Sequence, residues 1–288
     1  MQRRAFISTV GLGAASIPVL HAAPAAASEG GLVDTNVSLY HWAPRRSWVE
    51  SATLLVERLR RYGVRSAWTG SFDGVLHSDI AGVNSRLADT CAKEGGGILQ
   101  PFGSINPTLP DWEDDLRRCH EVHRMAGVRL HPNYHGYTLD DPRFLRLLDL
   151  SAQRRLLVQI ALQIEDERSH NPALASAPVV PAPLTDALGK FPAARVMLLN
   201  GGSRLFGSAP LLQKLATAGA YFEIASLEGV AGIEGLFQRL PKLRLCFGSH
   251  APYFYFEAAL LKLQESALSP DQLAAVQYDN ARTALALA

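Results

Sequence analysis

Imidazole is the side chain that exchanges a proton near neutrality, so the chain's nine histidines are the first place to look for chemistry. His250 ends the run Leu245-Cys246-Phe247-Gly248-Ser249-His250-Ala251-Pro252, where an apolar strand hands over to a loop. A neutral imidazole there can take a proton from water as a general base. His131 and His135 fall in His131-Pro132-Asn133-Tyr134-His135-Gly136-Tyr137 after a second apolar run, with Arg129 two residues before His131 at the same parity. Such a loop suits a substrate ring or carboxylate, and Arg129 can hold a carboxylate by a two-point contact. Asn36 and Asn200 close two further runs and offer amides for a polarised carbonyl oxygen. Gln163 closes Val158-Gln159-Ile160-Ala161-Leu162-Gln163, in which Gln159, Ala161 and Gln163 share one face. Glu165-Asp166-Glu167 follow, and Glu165 is an acid or ligand candidate set against the ordinary reading of such a run, a solvated loop paired with Arg168. Each histidine and amide has an ordinary alternative too, a hydrogen bond within a loop or at a strand end.

These residues are positioned by short apolar runs alternating with longer segments of helical period, the pattern of parallel strands joined by crossover helices. Strands are predicted over Leu32–Ser38, Val64–Gly70, Gly97–Phe102, Gly127–His131, Leu157–Gln163, Arg195–Asn200, Tyr221–Ala225 and Leu243–Gly248. The intervening helices are expected over Trp48–Tyr62, Ile80–Lys93, Asp111–Met125, Asp141–Arg154, Leu184–Phe191, Ala209–Ala218, Gly232–Leu240 and Phe256–Ser266. Eight such units imply an α/β fold, a single (β/α)8 TIM barrel. An extra C-terminal helix from Gln272 to Ala286, capped by Ser269-Pro270-Asp271, is expected to pack on the outside. Strict alternation puts Asp34, Asn36 and Ser38 on one face of the first strand and Val33, Thr35 and Val37 on the other. Barrel active sites lie at the carboxyl ends of the strands, and the candidates gather there.

The 288 residues are 48% hydrophobic and 19% charged, which excludes a disordered, collagen-like or coiled-coil chain. Lys+Arg 28 against Asp+Glu 27 leaves no basic field for nucleic acid or anionic membrane, so the expected partner is a small-molecule substrate, with a homo-oligomer left open. Met1-Gln2-Arg3-Arg4-Ala5-Phe6-Ile7, followed by an uncharged run from Ser8 to Leu20, resembles a twin-arginine export signal. Ala25-Ala26-Ala27 supplies the small residues for cleavage. The expected division is therefore a signal over 1–27 and a barrel domain over 28–288, exported to the periplasm or beyond. Cys91, Cys119 and Cys246 show no CxxC spacing and read as buried free thiols.

At this level the chain resembles the amidohydrolase-related family of metal-dependent hydrolases and decarboxylases. Val33-Asp34-Thr35-Asn36-Val37-Ser38 stands where the family has Ile-Asp-x-His-x-His, and Gly127-Val128-Arg129-Leu130-His131-Pro132 forms its strand four. Leu198-Leu199-Asn200-Gly201-Gly202 occupies the place of its His-Gly pair, the run from Leu245 to Pro252 that of Phe-Gly-Ser-Asp-x-Pro, and Asp279-Asn280-Ala281-Arg282 that of its closing Asn-Ala segment. By this resemblance the family's metal-ligand positions hold Asn36, Ser38, Ala161 or a neighbour, Asn200 and His250. Of these only His250 is an ordinary zinc ligand, so no cofactor is expected. A divalent metal such as Zn²⁺, held by Glu165 or Asp166 and nearby histidines, stays open as the alternative. The resemblance implies an exported hydrolase of a small ester, lactone or amide, with His250 as base and Asn36, Asn200, His131 or Arg129 on the carbonyl or carboxylate. A non-catalytic small-molecule-binding barrel and a metal-dependent decarboxylase or hydrolase with rebuilt ligands are the alternatives. Replacing Arg3 and Arg4 with Lys is expected to leave precursor in the cytoplasm, read by cell fractionation; unchanged export refutes the signal.

Overall fold

The computed structural model describes residues 31–46, 49 and 51–286, so the expected signal over 1–27 and Trp48 lie outside the described residues. Eight parallel strands pair in chain order: β1 (Leu32–Leu39), β2 (Val64–Ser71), β3 (Leu99–Ser104), β4 (Gly127–Leu130), β5 (Leu157–Ala161), β6 (Arg195–Leu199), β7 (Tyr221–Glu223) and β8 (Leu245–Cys246). Thr35 N–H donates to the Phe247 carbonyl and Ser38 N–H to the Ala251 carbonyl, which joins β1 to the segment after β8 and makes the ring a TIM barrel.

Two apolar layers hold it. Outward residues such as Val37, Ala67, Val128, Ile160, Leu198, Phe222 and Leu245 are buried with the helices in one large cluster. Inward residues Val33, Trp68, Phe102, Leu157, Ala161, Met197, Leu199, Tyr221 and Cys246 fill the lower barrel. The last helical segment corrects the expectation that it lies outside. Ala281 and Ala284 belong to the interior cluster, Arg195 donates to the Ala284 carbonyl and Asn280 to the Leu245 carbonyl, so the segment plugs the floor. Its small alanine face fits the narrow opening, and a π turn at Ala275–Asp279 brings the Val276 carbonyl to Phe247 N–H.

Local chemistry moves several boundaries. β3 begins at Leu99 because Gly96 and Gly97 hold left-handed turns at φ 56° and 77°. β5 stops at Ala161, leaving Gln163 beyond the strand, and β7 and β8 are shorter than expected. On β1 strict alternation fails: the register with β2 slips between Asp34 and Val37, so Val33 faces the lower interior while Asn36 and Ser38 face the mouth.

Above the apolar floor Arg129 crosses the barrel. Its Nε donates to Gln159 Oε1 at 2.9 Å, Nη1 to the Val37 carbonyl at 2.8 Å and Ser38 Oγ at 3.2 Å, and Nη2 to the carbonyls of Trp68 at 3.0 Å and Thr35 at 3.5 Å. All five guanidinium N–H groups are thus used by the protein, and the side chain is 2% exposed. Arg129→Leu is expected to lower unfolding free energy in urea by at least about 3 kcal/mol, because it strands the buried acceptors that the guanidinium satisfies. Arg129→Lys is expected to recover only a minor part, having no fork to span β1, β2 and β5.

Candidate active site

At the mouth the ends of β1, β6 and β7 are tied together. Asn36 Nδ2 donates to Asn200 Oδ1 at 2.9 Å and reaches Glu223 Oε1 at 3.4 Å, while Glu223 also accepts the backbone N–H groups of Asn200 and Ala225. Asn200 Nδ2 donates to the Gln163 carbonyl at 2.8 Å. Asp34 accepts Asn36 N–H at 3.1 Å, Ser249 N–H at 3.0 Å and the Ser249 hydroxyl, which joins β1 to the residue preceding His250. Asn200 and His250 sit at left-handed φ of 56° and 57°, sharp turns that direct both side chains at the ends of their strands. Burial pushes the Asp34 carboxyl up to about 7 and raises Glu223 against the N–H groups and the Lys262 charge that favour its ionised form.

His250 is 3% exposed, with ring centroids of Phe254 at 5.1 Å, Tyr253 at 5.2 Å and Phe72 at 6.3 Å. Its Nε2 lies 3.1 Å from the Ile164 carbonyl. A carbonyl only accepts, so Nε2 carries the hydrogen and Nδ1 keeps a lone pair, which is buried without a partner. Burial in this aromatic surround, opposed by the Ile164 contact, brings the imidazole down to about 4. His131 and His135 stand 6.2 Å apart between centroids, each with a buried, unpartnered Nδ1, and burial lowers both. The His135 Nε2 is occupied at 3.1 Å by the Gly74 carbonyl.

Beside this group opens a cavity of about 580 Å³, walled by Gln163, Glu165, Gly202, Phe254 and Lys262 among others. Ile164 and Phe254 separate it from the His250 ring that both touch. The solvated reading of the acidic run holds for two of its three residues: Asp166 pairs with Arg168 at 2.5 Å and Glu167 with Arg204 at 2.7 Å. Glu165 instead is 3% exposed and accepts the Trp42 indole N–H at 2.5 Å. The structure therefore gathers Asn36, Asn200 and His250 at the mouth with Arg129 beneath them, His131 and His135 beside one another, and Gln163 and Glu165 on the cavity wall. Glu223, Trp42 and Lys262 were absent from the sequence reading of the site. Inward parity with Tyr221 at the end of β7 was the signal for Glu223; nothing local marked the other two.

The amidohydrolase family model matches residues 56–287, most of the chain. The chain belongs to the amidohydrolase family. Solved amidohydrolase-fold structures share its architecture at low identity. The 2,6-dihydroxybenzoate decarboxylase from Rhizobium is 11% identical at a TM-score of 0.67, over 89% of this chain and 99% of that one. A dihydroxybenzoic acid decarboxylase from Polaromonas, with bound manganese and 2-nitroresorcinol, is 12% identical at 0.66, over 90% and 97%. A protein described as a probable 2-pyrone-4,6-dicarboxylic acid hydrolase from Acinetobacter baumannii, with citric acid bound, is 12% identical at 0.59, over 89% and 99%. No curated protein matches the chain.

The mouth of this amidohydrolase does not suit a divalent ion. Asn36 presents an N–H to Asn200 where a cation would need an oxygen or nitrogen lone pair, Ser38 is tied to Arg129, and neutral amide and hydroxyl oxygens are weak donors. Among the described residues no three His, Cys, Asp or Glu side chains converge as a metal site requires.

The buried groups make opposed contributions to stability against pH. His250 has a folded value of about 4, below its ordinary 6.5, so the unfolded chain takes up the proton first and stability is lost as pH falls from 6.5 toward 4. Asp34 is raised from 3.8 to about 7, so its contribution is present below 3.8 and lost as pH rises toward 7. Urea titrations across this range are expected to show His250→Asn losing stability relative to wild type as pH rises and Asp34→Asn gaining it, each with a limiting slope of about 1.4 kcal/mol per pH unit. Parallel curves for wild type and variants refute the assignments.

Proposed function

We propose that this amidohydrolase is an exported hydrolase of a small ester, lactone or amide that works without a divalent metal, with the His250 imidazole as its base. One observation carries the reading: Nε2–H is held by the Ile164 carbonyl while the Nδ1 lone pair is buried and unpartnered, one residue behind the cavity wall. A water placed on Nδ1 gives up its proton there as it attacks the substrate carbonyl, and the imidazolium returns that proton to the departing alkoxide or amine as the acyl bond breaks. The carbonyl oxygen then needs N–H donors, and Arg129 has none to spare. The Gln163 side-chain amide on the cavity wall and the second Asn200 Nδ2 hydrogen support that role. His131 and His135 stay neutral beside the site, so the cation that opposes protonation of His250 is Arg129 beneath it. Export rests on the paired Arg3 and Arg4.

The same interlocked amides and saturated guanidinium favour a second reading, a barrel that binds a small molecule without turning it over.

Turnover of a panel of aryl esters and lactones separates the readings. For the hydrolase, EDTA-dialysed protein is expected to keep its rate, and the rate to hold as pH falls through 6.5 and decline toward 4. His250→Asn is expected to lose kcat by about 10²-fold or more with the fold intact. Activity abolished by chelator and restored by Mn²⁺ or Zn²⁺ overturns the metal-free mechanism, and no turnover at any pH leaves the binding reading in its place.

A further inference from the structure

Glu165 is a buried carboxylate without an ionic partner. It is 3% exposed, it accepts one hydrogen bond from the Trp42 indole, and among the described residues no Lys, Arg or His side chain lies within ion-pair distance. A cation that reaches such a carboxylate gains from the low-dielectric surroundings. Around it stands an aromatic cluster: Trp42 and Phe72 at 6.0 Å between centroids, Trp42 and Tyr134 at 5.4 Å in edge contact, Phe72 and Tyr253 at 6.4 Å. Tyr134 and Tyr253 are its partly exposed rings. Burial first, and then the nearby Glu165, raises both phenols, the Tyr134 hydroxyl to about 12. One guanidinium already lies over this cluster, Arg45 at 5.2 Å from the Tyr253 centroid, so its ring faces attract cations. Glu165 also belongs to the wall of the 580 Å³ cavity.

We propose that the ligand of this cavity carries a cationic ammonium group, which docks on Glu165, the acid that joins the cavity wall to the aromatic cluster of Trp42, Tyr134 and Tyr253. The inference deepens the hydrolase reading by naming the charge of its substrate: a cationic ester, lactone or amide. Arg129, the group best suited by type to hold a substrate carboxylate, has its five N–H groups taken by β1, β2 and β5, and the cations lining the cavity are engaged, Arg168 with Asp166, Arg204 with Glu167 and Lys262 with the Ile224 and Ala225 carbonyls, so no free positive charge is on offer among these residues. Negative charge is.

Calorimetric titration of the folded chain with choline and with its uncharged isostere 3,3-dimethyl-1-butanol tests this, with benzoate as the anionic control. Choline is expected to bind about tenfold tighter than the isostere and to shift the Trp42 indole N–H resonance, with benzoate not competing. Glu165→Gln is expected to erase the preference for choline while leaving the isostere unchanged. Should that variant not fold by circular dichroism, Tyr134→Leu, at a partly exposed ring, is expected to weaken choline several-fold and carries the test. Equal affinity for choline and the isostere, no saturable choline binding to wild type, or choline affinity unchanged in the variants that fold overturns the proposal. Binding is read without turnover: an ester panel that yields no hydrolysis refutes the catalytic reading alone, and absent choline binding in an active enzyme refutes this one alone.

Discussion

A guanidinium buried inside a barrel of eight strands is the constraint around which this mouth is arranged. Removing Arg129 from water carries a penalty of several kcal/mol, and its five donors offset it only because carbonyls of β1 and β2, Ser38 Oγ and the Gln159 amide are all aimed inward at one point. The slip in β1 makes that possible: it turns the Thr35 and Val37 carbonyls toward the interior and away from a regular ladder. Two carboxyl groups lie near that charge. Asp34 and Glu223 are fully buried and favour the charged guanidinium, while burial raises both carboxyls against the N–H and hydroxyl donors they accept from.

From that layer upward the polar groups satisfy one another, which sets what the mouth can do. The Asn36–Asn200–Glu223 link ties β1, β6 and β7 with hydrogen bonds, so the strand ends are held by N–H donors where a cation would draw in lone pairs. Among the described residues the Nδ1 atoms of His131, His135 and His250, whose imidazoles burial keeps neutral, are unpaired, and Glu165 has no ionic partner. A site that offers neutral imidazoles and the Glu165 carboxylate is biased toward proton acceptance and toward positive ligands. That bias follows from the saturation of its arginine.

Much of the architecture was legible from the chain alone, because hydrophobic periodicity reports burial directly. Short, mostly apolar runs such as Leu157–Ala161 and Arg195–Leu199 read as buried strands covered by helices outside, and eight of them close a ring. The rule that barrel chemistry lies at strand carboxyl ends then marks Asn36, Asn200 and His250 from the sequence alone. Periodicity misled where the backbone departs from period two, at the β1 slip, and where composition is ambiguous, at the alanine-rich terminal helix that reads as an outer helix but fills the floor.

The sequence by itself determined the kinds of groups at the mouth and their order along the strands, since side-chain chemistry and parity are local properties. Only the tertiary structure decided which of those groups are free. Arg129 reads as a carboxylate clamp until five acceptors from three strands are seen to consume it, and Glu165 reads as a solvated loop acid until Trp42, more than a hundred residues earlier, is found donating to it. Availability for a ligand is a difference between donors present and donors already satisfied, and satisfaction comes from contacts distant in sequence, which no local pattern carries.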